Sequence, residues 1–340
     1  MRSPGWVVVA LVACKAPPIA APVSDPADLG LAYAYTPADL AGQQLARAGR
    51  YLTCTWADLE PTRGQLDLAC LRDALDGDLP FAFRFIVVDP DSPALPAWFA
   101  DQGIPLLPYT VDGDSGFAPD FSNAAFLDEH ARVLTTLAAA LAAEPGLDRL
   151  TLVEVGSMGF WGEWHVTQNP ALQETITPEA GERVLGAYLA AFPDLPKAIA
   201  FDVFENFPTL TEPVLDATNL GLRFDCLGYV EDHAWFREKV PLSFLDRLDG
   251  PMGGEFCGSD AGAFKVMGFP LTVAERRDYL DTWGGEPNTP ASPDEVIALV
   301  RDYRWTFVGG AGAALLRADV LARDKAAARD VERLFLELRP

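Results

Sequence analysis

Eight short β-rich runs, separated by amphipathic stretches, constrain this chain more than any other feature of its sequence. The runs are Leu31–Thr36, Arg50–Trp56, Phe81–Val88, Leu150–Val155, Lys197–Phe204, Gly221–Leu227, Pro251–Phe256 and Trp305–Val308. Several are almost continuously apolar, the pattern of parallel strands covered by helices on both sides. Asn123 or Ser122 is placed to cap a helix running to about Ala143, where Pro145-Gly146 stops it. Leu127, Leu134, Leu137 and Leu141 give that helix its apolar stripe. A second helix is expected over Pro178–Ala191, ending before Pro193. The last is expected from about Ala318, with Val331, Leu334, Phe335 and Leu338 at i, i+3, i+4, i+7. Strands alternating with helices predict an α/β chain, a single-domain (β/α)8 TIM barrel spanning residues 29–340. With 340 residues, 49% of them hydrophobic, there is ample material for one such core. The competing architecture is an open doubly wound sheet. It lacks its usual nucleotide site, since no GxGxxG or Walker-type loop follows an early strand.

The N-terminus reads differently. Arg2 precedes an apolar stretch from Trp6 to Ala13, too short to span a bilayer. It ends in Leu11-Val12-Ala13-Cys14, followed by an Ala/Pro-rich segment. A basic start, a brief apolar core and small residues describe a secretion signal. The last four residues resemble the bacterial lipobox, which implies cleavage before Cys14, lipidation of Cys14 and a tether over 15–28. Cys54, Cys70, Cys226 and Cys257 remain. In an exported protein they form two disulfides in one of three connectivities, or else stay as four buried thiols. No CxxC is present and His130, His165 and His233 are far apart in sequence, so no metal site is expected.

The charge balance excludes further partners. Forty-nine acidic against 26 basic residues leave a net charge of −23, with no Lys/Arg-rich run. Nucleic acid and anionic membrane surfaces are disfavoured. The membrane is reached only through the lipid on Cys14. The bland reading of this charge is a solvated surface.

In a barrel of this kind the site lies at the C-terminal ends of the strands. Alternation puts Leu152, Glu154 and Gly156 on one face of the fourth strand, with Arg84 inside the third. An isolated buried charge costs several kcal/mol, so Arg84 and Glu154 are expected to pair as a mainly structural floor. Asp202 on the fifth strand and Asp225 on the sixth are either hydroxyl-binding groups or ordinary polar positions. Asp89–Ser122 is long for a βα connection, and a connection of that length carries function or folds over something. No Gly-x-Ser-x-Gly elbow is present, and Gly258-Ser259-Asp260 has no His spaced as a partner. Asp112-Gly113-Asp114 lacks the other ligands of an EF-hand loop.

Four strand ends carry a resemblance. The second is followed by Trp56-Ala57-Asp58-Leu59-Glu60-Pro61 and then Gly64, and the third by Pro96-Ala97-Trp98. The fourth is followed by Gly159-Phe160-Trp161-Gly162-Glu163-Trp164-His165, and the seventh carries Gly253-Gly254-Glu255-Phe256. Together these resemble clan-A glycoside hydrolases. The Gly-x-Trp-Gly-Glu-Trp-His stretch is similar to a less characterised glycosidase-like family of barrels. The resemblance covers about residues 30–310. It implies a carbohydrate substrate, O-glycosidic bond hydrolysis without a cofactor, Glu163 as acid/base and Glu255 as nucleophile. The chemistry needs two such carboxyl groups, about 5–5.5 Å apart for retention and about 6.5–9.5 Å for inversion. Clan-A enzymes commonly carry Asn before the acid/base, where this chain has Gly162. That departure favours the alternative, a carbohydrate-binding barrel that has lost catalysis. Trp56, Trp98, Trp161, Trp164 and Trp305 fall at or near strand ends and are expected to stack on sugar rings, against the plainer reading of core packing. His165 is placed to orient Glu163 or touch substrate.

Overall fold

The computed structural model describes residues 31–34, 48–111, 113–167, 169–256 and 291–309, with Arg333, Leu334 and Glu337 besides. Cys14, the tether at 15–28, Cys257 and Gly258-Ser259-Asp260, the side chain of Cys226 and all but those three residues of the helix expected from Ala318 lie outside them.

Eight parallel strands close into a barrel. They are β1 (Leu31–Ala34), β2 (Ala48–Thr55), β3 (Phe81–Ile86), β6 (Leu150–Glu154), β7 (Lys197–Ala200), β8 (Leu220–Leu227), β9 (Gly253–Phe256) and β10 (Phe307–Val308). β4 (Leu106–Val111) and β5 (Asp114–Pro119) form a separate antiparallel hairpin. The ring closes because β1 pairs with β2 on one side and β10 on the other. Each of the eight expected runs supplies one barrel strand. Several are shorter than expected, among them β3, β6 and β9 by one or two residues, and two differ more clearly. Lys197–Phe204 leaves the sheet after Ala200, and Val203–Asn206 forms a helical turn, α6. An apolar run such as Phe201–Phe204 satisfies a buried helix as well as a strand. Trp305 precedes β10 instead of opening it, its amide donating to the Val300 carbonyl.

Helices pack outside the ring. α1 (Trp56–Leu59) and α2 (Ala69–Leu75) follow β2. α3 (Ala124–Ala142) follows the hairpin, and the Asn123 carboxamide caps it by accepting from the amides of Ala125 and Phe126. α4 (Pro170–Gln173) and α5 (Pro178–Ala191) follow β6. α7 (Thr211–Leu215), α8 (Val230–Lys239) and α9 (Pro293–Asp302) continue the series. No helix among the described residues is long and apolar enough to cross a membrane.

Strand alternation splits the core in two. Tyr51, Ala82, Leu152, Ala198 and Phe307 fill the lower interior of the barrel. The larger cluster lies between sheet and helices. There Trp56 meets Phe85, Phe99, Phe126 and His130 edge-on or tilted, and Phe224 packs on Phe201, Phe236 and Trp305. Cys54 on β2 and Cys70 on α2 form a disulfide, one of the alternatives the cysteine count left open.

The long Asp89–Ser122 connection is not irregular. A 3-10 helix over Ala97–Gln102 precedes the β4–β5 hairpin. The hairpin turns between Val111 and Asp114. The hairpin docks on the segment after β6. Tyr109 packs against Phe160 at 5.0 Å, and the Asn169 carboxamide exchanges hydrogen bonds with the Thr110 backbone at 3.0 and 3.1 Å.

Candidate active site

The site grows out of the segment that follows β6. Val88 and Phe160 form a parallel bridge beyond the strand ends, so this segment first prolongs the β3–β6 pairing. It then coils back: Phe160 donates to the His165 carbonyl, Glu163 to the Phe160 carbonyl and Trp164 to the Met158 carbonyl, at 2.8–2.9 Å. The turn needs left-handed backbone at Gly159, Trp161, Gly162 and Trp164, with φ of 77°, 49°, 78° and 65°. Two tryptophans in that region are costly, of order 1–3 kcal/mol each, and such strain concentrates where a loop holds functional groups. The result is that Glu163 turns toward the barrel mouth.

Below it lies a buried charge network. Glu154 Oε2 accepts from the Tyr51 hydroxyl at 2.6 Å and from Arg84 Nε at 2.7 Å, and faces Arg223 Nε at 3.4 Å. The Arg84, Arg223 and Glu154 side chains are only 3–4% exposed. Arg84 also donates to the Trp161 carbonyl at 3.1 Å, which ties the floor to the loop. The Arg84–Glu154 pair is where strand alternation puts it. Arg223, absent from the sequence expectations, is the centre of the network. It was legible: β8 was expected, and Arg223 shares the inward face with Asp225.

Arg223 joins the two glutamates. Its Nη2 donates to Glu163 Oε1 at 3.0 Å and, more closely, to Glu255 Oε1. Two oxygens on one nitrogen lie within about 6 Å of each other, short of the inverting spacing of about 6.5–9.5 Å. Arg84 Nη1 lies 3.5 Å from Glu163, and His165 Nε2 lies 3.5 Å from its other oxygen.

The proton affinities diverge. Burial pushes the Glu163 carboxyl up, but Arg223, the His165 hydrogen bond and Arg84 outweigh it and bring it down to about 2. Glu255 is raised: burial and the Glu163 and Glu154 charges overcome Arg223 and Arg84. His165 loses basicity by burial yet is raised on balance by its contact with Glu163 and by Asp225. Asp225 is lifted to about 7 by burial and by Glu163, against Arg223 and His165. Asp202 is raised well above the usual range by burial, Asp225 and Glu163. Opposed shifts within one cluster of carboxyl groups mark sites that handle protons.

The tryptophans correct the expectation. Trp56, Trp164 and Trp305 are fully buried. Trp56 donates to Glu60 at 3.1 Å, and Trp164 donates to the Val155 carbonyl at 2.6 Å and meets Phe207 edge-on. Trp305 sits at the N-terminal end of β10, away from the strand ends that form the mouth. None of the three offers a face to a sugar: large apolar rings near strand ends are drawn into the sheet–helix layer, which sequence position alone does not distinguish from a rim. Trp98 is half-buried against Trp56 and Phe99, its indole donating to the Glu60 carbonyl at 2.8 Å. Trp161 remains at the rim, half-exposed, held by Asp91 at 3.1 Å and tilted against His165 at 6.2 Å. Asp202 and Asp225 lie beside the glutamates. Among the described residues, no group of three or more His, Cys, Asp or Glu is arranged to hold a metal ion.

No protein-family model and no curated protein sequence matches the chain. Solved structures do. A GH5_18 from Bifidobacterium longum subsp. infantis shares 11% identity at a TM-score of 0.46, over 87% of this chain and 71% of its own. A GH5_18 variant from Streptomyces cattleya, in complex with Manb1-4GlcNAc, shares 14% at a TM-score of 0.34, over 69% and 65%. A structure described as beta-glucosidase 1317 shares 12% at a TM-score of 0.39, over 84% and 75%.

Proposed function

We propose that this chain is an O-glycoside hydrolase of an oligo- or polysaccharide, acting with retention through Glu163 and Glu255. One observation carries the reading: carboxylates from the ends of the fourth and seventh barrel strands meet on a single guanidinium nitrogen. That nitrogen occupies the gap the anomeric carbon has to enter. Substrate therefore has to move the Arg223 head group off one carboxylate. The Glu163 contact is the longer one, and Arg223 keeps Glu255 and Glu154 without it. Burial is then opposed at Glu163 only by His165 and Arg84, and the carboxyl rises from its depressed value toward that of a proton donor. A protonated Glu163 no longer raises Glu255, which stays ionised against Arg223. Glu255 attacks the anomeric carbon while Glu163 protonates the departing oxygen, and water resolves the glycosyl ester with Glu163 as base. These are the roles the resemblance implies.

The same bridge favours a second reading. If Arg223 holds both carboxylates with sugar present, the barrel binds carbohydrate without turnover, as the Gly162 departure also favours. A panel of aryl glycosides and their 2-deoxy-2-fluoro analogues separates the two. We expect hydrolysis that Glu163→Gln and Glu255→Gln each reduce by at least about 10³-fold, and a covalent fluorosugar on the Glu255 peptide. A label on Glu163 would reverse the roles. Binding with neither label nor turnover would establish the second reading.

We propose likewise that the chain is exported and lipid-anchored through Cys14. The Leu11-Val12-Ala13-Cys14 sequence supports this, as does a Cys54–Cys70 disulfide, which persists in oxidising compartments. Cells fed labelled palmitate should incorporate it into the wild type and not into Cys14→Ser.

A further inference from the structure

Among the described residues, the barrel mouth holds more acids than arginines. Among the described side chains there, Arg84 and Arg223 face Glu154, Glu163, Glu255, Asp202 and Asp225, and the three glutamates take both guanidinium groups. Asp202 is 6% exposed, and its Oδ2 has no hydrogen-bond partner. Its position is fixed by the sheet: Ala200 pairs with Arg223, and the Phe201 amide donates to the Arg223 carbonyl at 3.0 Å. Asp202 follows the end of β7, at the start of the α6 turn with φ of −53° and ψ of −22°, and Asp225 stands two residues beyond Arg223 on β8. Asp225 is half-buried. A buried carboxylate oxygen without a donor is rare in a folded chain, and a second carboxylate beside it deepens the cost. The missing partner is a donor, and two carboxylates select a positively charged one.

We propose that Asp202 and Asp225 form a subsite for an ammonium group on the substrate, so that the sugar cleaved contains a hexosamine with a free amine. This rests on the carbohydrate reading above and names its substrate class. An ammonium fits better than a metal ion, since no metal-holding cluster is present among the described residues. Burial and the neighbouring acids raise both carboxyl groups, Asp225 to about 7, so Asp225 holds a proton part of the time near neutrality; Asp202, Glu163, Glu255, Arg223 and His165 are the charged groups around it. An entering ammonium takes over the proton's role, and binding expels a proton to the buffer.

Calorimetry with the purified full chain tests this. Glucosamine oligosaccharides, their N-acetylated forms and neutral gluco- and manno-oligosaccharides of equal length are titrated in two buffers of different ionisation enthalpy. We expect the free-amine sugars to bind about tenfold tighter or more, a single charge-assisted contact's worth. Their binding alone should release up to one proton. Asp225→Asn, at the half-buried position, should abolish both effects, while the buffer comparison on the wild type needs no variant. Equal affinity for N-acetylated or neutral sugars, or a preference unchanged in Asp225→Asn, overturns the subsite and leaves the hydrolase reading standing. Binding of no sugar at all overturns both.

Discussion

Gly162, the residue before Glu163, is dictated by its own surroundings. Its φ is +78°, and a Cβ there would fall on the carbonyl oxygen of Gly156. Gly162→Asn is therefore expected to destabilise the chain by more than about 2 kcal/mol, read as a lower melting temperature, and to misplace Glu163. A variant that melts normally would show that the loop tolerates a side chain. His130 makes the complementary case. It is fully buried among Trp56, Phe85, Phe126 and Tyr188, and neither ring nitrogen has a partner. His130→Leu should stabilise the chain by about 1–3 kcal/mol at neutral pH, since it removes two orphaned polar atoms. Legibility at this scale was uneven. Glu163, Glu255 and the Arg84–Glu154 pair follow from strand-end position and alternation. Arg223 obeys the same rule, two residues before Asp225 on β8. The burial of Trp56, Trp164 and Trp305 was not readable, because a strand-end ring turns inward or outward according to helices that pack later in the chain.

The elements hold these residues through a few long-range ties. Arg223 on β8 compensates carboxylates from β6, β9 and the β6–α4 segment, so Arg223→Met leaves three buried or half-buried acids short of a partner. The expected cost is about 3–5 kcal/mol, measured by denaturant unfolding; an unchanged midpoint would mean the acids are neutral in the folded chain. The Cys54–Cys70 disulfide clips α2 to β2 with a sequence separation of 16. In the chain-entropy view its reduction should cost about 3 kcal/mol, seen as a lower unfolding midpoint in reductant. α3 and α5 were legible because their caps and stops are local: Asn123, Thr177-Pro178 and the prolines beyond their ends. The β4–β5 hairpin was not, because its strands carry Pro108 and Pro119, and what stabilises them is docking on Phe160 and Asn169.

The whole molecule should respond to acid in a defined direction. His130 and His233 are depressed by burial, to about 3 and about 4. Both stay neutral in the folded chain while the unfolded chain takes up protons below its ordinary 6.5. Stability is therefore lost as pH falls from 6.5, and the His130 loss is complete below about 3. Glu163 adds a loss between its ordinary value and about 2. Asp225, raised to about 7, works the other way, adding stability as pH falls from 7 toward its ordinary 3.8. The difference between wild type and His130→Leu isolates one group: the gap in unfolding free energy should widen steadily from pH 6.5 to about 3. A constant gap would show that His130 protonates in place.

What the sequence determined by itself was the barrel and the strand ends. Eight apolar runs bounded by glycine, proline and charged residues carry their own strand signal, and their alternation with helical stretches leaves few ways to bury both sheet faces. The sequence also placed two glutamates on the fourth and seventh strand ends. Tertiary structure alone decided what those glutamates meet. Barrel closure brings β8 between the fourth and seventh barrel strands and drives the Arg223 guanidinium between Glu163 and Glu255. Closure also sets Asp202 against Asp225, and packing removes three tryptophans from the mouth. Such contacts span 20 to more than 100 residues of chain, and no local pattern encodes them, because the energy of a buried charge depends on every neighbour the fold brings to it.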